Sequence, residues 1–252
     1  MKIAFVLYKY FPFGGLTRDM LRIADACSAR GHQVHAYALP WEGGGPAGIE
    51  VSPLPATGLT RHARNRGFQR RLRAALAANP VECIVGFNKM PGLDIYYAAD
   101  GCMRAKILAE HGRLAQWLPR YRHFLDDEAA VFSPRSHTHI LMISPRQREV
   151  YVEHYGTPAR RLHMLPPGIA RDRMAGDDAM AQRSAFRAAH GIDDDEHVVL
   201  CIGSGFKTKG LDRSLRAFAS LPPGLRSRSR LIAIGDDKPV RFVKQARQLG
   251  IA

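Results

Sequence analysis

Long apolar runs are missing from this sequence. At the amino terminus only Ile3 to Leu7 precede Tyr8, Lys9 and Tyr10, too short for a signal peptide's apolar core and far short of the roughly 20 residues that span a bilayer. The expectation is therefore a cytoplasmic chain with no export signal and no spanning helix. Cysteine is scarce: Cys27, Cys83, Cys102 and Cys201 lie far apart, with no C-x-x-C and no histidine at metal-ligand spacing. They read as reduced, mostly buried thiols. Standard nucleotide fingerprints are absent too. Gly203 and Gly205 lack the third glycine of G-x-G-x-x-G, and Gly210 precedes Leu211 rather than the Lys-Ser/Thr of a P-loop. A dehydrogenase and an ATPase are disfavoured. No acid occurs between Ala56 and Val81, a stretch that holds six arginines from Arg61 to Arg73.

What is present is an ordinary globular composition, 46% hydrophobic and 24% charged over 252 residues, enough for one large domain or two modest ones. A formal net charge of +14 favours a polyanionic partner: nucleic acid, an acidic membrane face or phosphorylated glycans. Apolar strand-like runs at 2–7, 33–38, 49–54, 83–87, 95–99, 138–143 and 161–165 are separated by helical stretches. The first helix shows as Leu16, Met20, Ile23, Ala24 and Cys27, an apolar stripe ending at Gly31. Such alternation predicts an α/β fold with a doubly wound parallel sheet, Rossmann-like in plan. "LPPG" at 165–168 and a polar stretch then mark a boundary, giving an N-terminal domain over 1–165 and a second over 166–252. The second restarts with strands at 197–202 and 230–234 and helices near 210–220 and 238–249. Two strands are too few for an open α/β domain, so an incomplete second Rossmann-like domain is expected.

Two glycine turns stand between a strand and a helix. Gly14 and Gly15 permit close approach of an anion to unpaired helix N–H groups, or simply relieve strain in a βα turn. "GSGFKTKG" at 203–210 adds Lys207 and Lys209, which favours phosphate. Two such loops facing across a cleft would hold a pyrophosphate between them.

The blocks "FVLYKYFPFGGLTRDMLRIA" (5–24), "VGFNKMPGLDIYYAADGC" (85–102), "PRYRHF" (119–124), "LPPGI" (165–169) with Asp172-Arg173, and "KGLDRSL" (209–215) resemble the WaaG-type lipopolysaccharide core glycosyltransferase I family of Gram-negative bacteria. The resemblance runs through essentially the whole chain. It implies a GT-B fold and metal-independent transfer, with retention, of a hexose from a UDP-sugar, either UDP-glucose or a related UDP-hexose such as UDP-GalNAc. The acceptor would be an inner-core heptose of lipopolysaccharide, met by a protein peripheral on the cytoplasmic face of the inner membrane. Gly14, Gly15, Gly203, Lys207, Lys209 and Arg173 would bind the donor; Asp100, at a strand end, and Asp19, one turn into the first helix, would face the reacting sugars and the acceptor. A strand-end cap for Asp100, a solvated helix charge for Asp19 and a surface ion pair for Arg173 are the plainer alternatives. Family members carry Arg-Lys before the glycine where this chain has Thr208-Lys209, and lysine cannot reproduce a bidentate guanidinium contact. The family's Glu-x7-Glu motif lies beyond residue 252, so weak nucleotide binding and no turnover are expected of this form.

Between 103 and 132, basic residues accompany Leu114, Trp117, Leu118 and Tyr121 at i, i+3, i+4 and i+7, suited to an anionic membrane interface together with 61–73; packing on the sheet is the alternative. Pro119 is expected to break or kink this segment. The acidic runs at 126–128 and 193–196 read as solvated faces, and no metal is assigned. A nucleic-acid-binding module would need a recognition helix, a stacking surface or a zinc framework, and none is visible. A retaining transferase acting on another membrane glycolipid is the nearer alternative, because fold does not fix substrate.

Overall fold

In a computed structural model, residues 1–10, 14–43, 48–169, 174–203 and 205–251 are described. The chain forms two compact units, Met1–Gly168 and Ile169–Ala252.

Unit 1 is built on a seven-stranded parallel sheet of β1 (Lys2–Leu7), β2 (Gln33–Ala38), β3 (Glu50–Pro53), β4 (Cys83–Gly86), β5 (Ile95–Ala98), β6 (His139–Met142) and β7 (Leu162–Met164), in the order β3-β2-β1-β4-β5-β6-β7. Side chains of β1 alternate between two cores. Ala4 and Val6 join Phe68 and Leu72 of α2 (Arg61–Ala78), Phe132 of α4 (Pro119–Phe132) and Tyr151 of α5 (Pro145–Tyr155). Ile3, Phe5 and Leu7 join Met20 and Ala24 of α1 (Gly15–Ser28) on the opposite face. A strand buried on both faces has no polar side to show, which is why these runs are continuously apolar. From β1 the chain winds outward through β2 and β3, then returns to place β4 on the other side of β1. That reversal makes a switch point, the position at which open α/β sheets bind ligands beyond the carboxyl ends of their strands.

Arg161 precedes β7 in a 3-10 turn instead of opening the strand, and it is buried. Its guanidinium donates to the Val131 and Ser133 carbonyls at 3.0 and 2.6 Å, satisfying oxygens left over where α4 ends, and to the Thr138 carbonyl before β6 at 2.9 Å.

Pro119 interrupts the segment as expected, and it does so by beginning a new helix. It sits in the first turn of α4, where its missing N–H costs nothing. The stripe at 114–121 is thereby divided between a 3-10 turn, Arg113–Trp117, and α4, both following α3 (Met103–His111). Leu114 and Trp117 are 84% and 76% exposed, so they do not pack on the sheet.

Unit 2 pairs β8 (His197–Ile202) in parallel with β9 (Ser229–Ile234). Around them lie α6 (Ala179–Ala189), the four-residue α7 (Phe206–Lys209), α8 (Leu211–Ala219), α9 (Pro223–Arg226) and α10 (Val240–Gln248). Lys207 and Lys209 thus stand on a short helix, not in an open loop. Phe206, Leu211, Leu215 and Phe242 make its core, with Phe206 and Phe242 edge to face at 5.6 Å. No helix among the described residues is long and apolar enough to cross a membrane.

Candidate active site

The segments following β1, β4 and β5 come together at the switch point. The Tyr8 N–H donates to Asn88 Oδ1 at 2.8 Å, joining the turn after β1 to the turn after β4. Gly14 caps α1 with an extended backbone (φ −78°, ψ 135°), and neither Gly14 nor Gly15 has positive φ. A Cβ on Gly15 would meet nothing within 4 Å. Strain relief therefore does not explain Gly15. Among the described residues nothing crowds this position, and it stands at a helix N-terminus, the end at which an anion is best received.

Asp19 lies one turn along α1, and Tyr97 of β5 donates its hydroxyl to Asp19 Oδ2 at 3.0 Å. Burial first, then this carboxylate, push the Tyr97 phenol well above the ordinary tyrosine range, so it stays a donor. Both residues line a cavity of about 370 Å³ together with Arg22, Pro166 and Gly168. Arg22 donates to the Gly168 carbonyl at 3.0 Å.

Asp100 is exposed on the segment joining β5 to α3. Its own backbone oxygen accepts a 2.9 Å bond from the Tyr151 hydroxyl. The Asp19 carboxylate is thus held on the α1 side of the sheet, and the backbone of Asp100 from the side of α4 and α5.

The acidic run at 126–128 departs from the solvated face expected of it. Asp126 is exposed, but Asp127 and Glu128 turn inward. Asp127 accepts from Gln69 Nε2 at 3.0 and 3.1 Å and from Tyr8 at 3.2 Å, and burial lifts its carboxyl to about 6. Glu128, 0% exposed, accepts from Lys89 Nζ at 2.6 Å, from the Met103 and Arg104 N–H groups at 2.8 and 2.9 Å, and from the Tyr155 hydroxyl at 2.7 Å. It thereby caps the N-terminus of α3, supplying anionic charge where the helix dipole favours it. Cys102 beside it is the buried thiol, pushed up to about 11 by burial and then by the Glu128 charge; Cys27, Cys83 and Cys201 are only half-buried, fewer buried than expected. The run at 193–196 keeps the solvated face expected of it: Asp193, Asp194 and Asp195 are exposed, and Glu196 accepts from Arg230 Nε at 2.8 Å.

Sequence reasoning passed over Asn88, Lys89, Glu128, Tyr97 and Tyr151. A signal existed for Glu128, since it repeats at i, i+4 and i+7 with Phe124 and Val131 along α4 and so falls on the apolar face. Lys89 stands just beyond β4, where ligand-facing residues of such sheets are found.

In unit 2, Gly203, Gly205 and Gly210 have φ of +135°, +75° and +79°, conformations that exclude most side chains. A Cβ on Gly203 would come within 3.0 Å of Lys209 Cε, so the Lys209 stem lies along this glycine while the residue remains exposed. Lys207 is also exposed. The Phe206 N–H at the start of α7 donates to Asp237 Oδ2 at 2.8 Å and is engaged there. Arg173 lies outside the described residues. Among the described residues, no group of three or more His, Cys, Asp or Glu is placed to hold a metal ion.

A parallel doubly wound unit whose carboxyl-end segments carry a glycine-opened helix start and two carboxylates, followed by an α/β unit with a lysine-bearing glycine turn, defines a glycosyltransferase of the GT-B class. A model of Glycosyltransferase Family 4 matches residues 13–173, and one of glycosyl transferases group 1 matches residues 182–252. The chain belongs to glycosyltransferase family 4. It is 42% identical over 251 residues to the lipopolysaccharide glucosyltransferase WaaG of Escherichia coli strain K12, an alignment covering 100% of this chain and 67% of that relative. The crystal structure of WaaG, described as a glycosyltransferase involved in lipopolysaccharide biosynthesis, matches with a TM-score of 0.91 over 99% of this chain and 67% of that one. The Anabaena protein Alr3699/HepE, solved in complex with UDP, shares the fold at a TM-score of 0.63 and 16% identity, covering 100% of this chain and 67% of that one.

Proposed function

We propose that this protein transfers a hexose, with retention of anomeric configuration, from a UDP-sugar to an inner-core heptose of lipopolysaccharide. UDP-glucose is the first donor to test, and a related UDP-hexose such as UDP-GalNAc the second. The observation that carries the reading is the 42% identity to WaaG along the whole of this chain. In it, Gly14 and Gly15 admit the donor to the start of α1, and Lys207 and Lys209 neutralise the departing nucleoside diphosphate without a metal. Asp100 receives a hydroxyl of the reacting sugars, and Asp19 faces the acceptor side. Exposed Leu114 and Trp117, with Arg113, Arg120 and Arg122 around them, meet the anionic inner-membrane surface on which such an acceptor resides.

The test is a hexose-transfer assay on lipopolysaccharide cores of defined length. Since the chain spans 67% of the E. coli relative, it is assayed alone and fused to the remaining third of that relative. Label from UDP-glucose or UDP-GalNAc appearing only on heptose-terminated cores is the expected result. Transfer to a different glycolipid, or to no core by either protein while both bind UDP, would overturn it.

A further inference from the structure

From the buried contacts behind Asp100, we infer that Lys89 and Glu128 are positioning residues for this carboxylate. The inference deepens the proposed role of Asp100 and rests on it. Four backbone atoms of the segment that carries Asp100, on residues 100, 101, 103 and 104, are held by side chains. Tyr151 donates to the Asp100 carbonyl at 2.9 Å, and Lys89 Nζ donates to the Gly101 carbonyl at 2.7 Å. Glu128 then accepts from the N–H groups of Met103 and Arg104 at 2.8 and 2.9 Å. The same Lys89 Nζ reaches Glu128 Oε1 at 2.6 Å, so a single ion pair ties the two ends of the segment together. Glu128 is fully buried and the Lys89 side chain only 11% exposed. Lys89 also lies 5.3 Å from the centre of the Tyr151 ring.

Removing two charges from water is costly, and an apolar pair of similar size would hold a helix to a sheet at least as well. A buried pair here supplies something packing does not: directional bonds that set the backbone on both sides of Asp100. Lys89 arrives from the segment after β4 and Glu128 from α4, so the backbone that carries Asp100 is tied to both. Neither Lys89 nor Glu128 needs to touch substrate, and precise support of a reacting group from behind is what such a site requires.

The experiment measures affinity for a heptose-terminated inner-core oligosaccharide by calorimetry, with thermal melts alongside. Three variants are compared with the parent chain: Asp100→Asn, the paired Lys89→Met with Glu128→Gln, and all three substitutions together. The paired variant leaves no orphan charge, so it should melt near the parent. Asp100→Asn should weaken binding roughly 10-fold, the loss expected for one hydrogen bond to a charged group. The paired variant should weaken it by a similar factor, and the triple variant should bind no worse than Asp100→Asn, because the pair acts only through Asp100. A paired variant that binds like the parent, or a triple variant whose loss is the product of the two, would overturn the inference while leaving the role of Asp100 standing. Unchanged binding in Asp100→Asn would remove that role, and the inference with it. Should the paired variant fold poorly, Lys89→Met alone, with Glu128 still capping α3, is put through the same comparison.

Discussion

Burial lifts the Asp127 carboxyl from 3.8 to about 6, even though bonds from Gln69 and Tyr8 pull the other way. A group whose folded pKa is raised contributes stability that is fully present below its unfolded value and is lost as pH rises through the folded value. His123, 3.4 Å from Asp127, is shifted downward by burial and then by Arg66, so its contribution is present above about 6.5 and is lost on acidification. The two groups oppose one another, and a variant is needed to separate them. Asp127→Asn should remove a stability loss of up to about 3 kcal/mol that Asp127 imposes between pH 4 and pH 6.5, measured by urea unfolding across that range. Parallel pH profiles for parent and variant would contradict a raised carboxyl. At this scale the sequence was least informative. Asp100 and Lys207 were nameable from their places in strand-helix turns, and Asp19 and Lys209 from the family resemblance, whereas Asp127 and Glu128 looked like two more solvated acids. Their burial depends on Gln69, Tyr8, Lys89 and Tyr155, up to 119 residues away in the chain.

Helix α1 starts at a glycine that neither backbone conformation nor packing requires. Gly15→Ala should therefore leave the melting temperature unchanged or slightly higher, alanine being the better helix former by at most about 1 kcal/mol. The added methyl would stand at the start of α1, where the proposed function puts the donor, so UDP affinity should fall several-fold in a calorimetric titration. Equal UDP affinity in parent and variant would place the donor phosphates elsewhere. Elements themselves were largely legible, because strands buried on both faces are marked by short continuous apolar runs and α1 by its stripe. The interruption expected at Pro119 is there, made by a proline that opens α4. One local reading did not survive: Phe206–Lys209 coil into a separate short helix before α8, set off by glycines in the left-handed region at Gly205 and Gly210.

Across the whole molecule the charge is +14, with six arginines in Arg61–Arg73 and exposed Trp117 and Leu114 elsewhere in unit 1. Flotation with vesicles should recover the protein with anionic lipid and not with neutral lipid, each basic residue near the surface adding about 1 kcal/mol. The recovery should fall as salt screens the attraction. Equal recovery from both vesicle types would remove the electrostatic part of membrane contact. The sequence by itself determined the parallel α/β plan and the family, since apolar periodicity, turn residues and contiguous motifs are local properties of the chain. Only the tertiary structure decided which acids are buried, that Gly15 adopts no backbone conformation reserved for glycine, and that Lys89 and Glu128 stand behind Asp100. Burial and hydrogen bonding are set by partners distant in sequence, and those partners meet only when β1, β4, β5 and α4 have packed together.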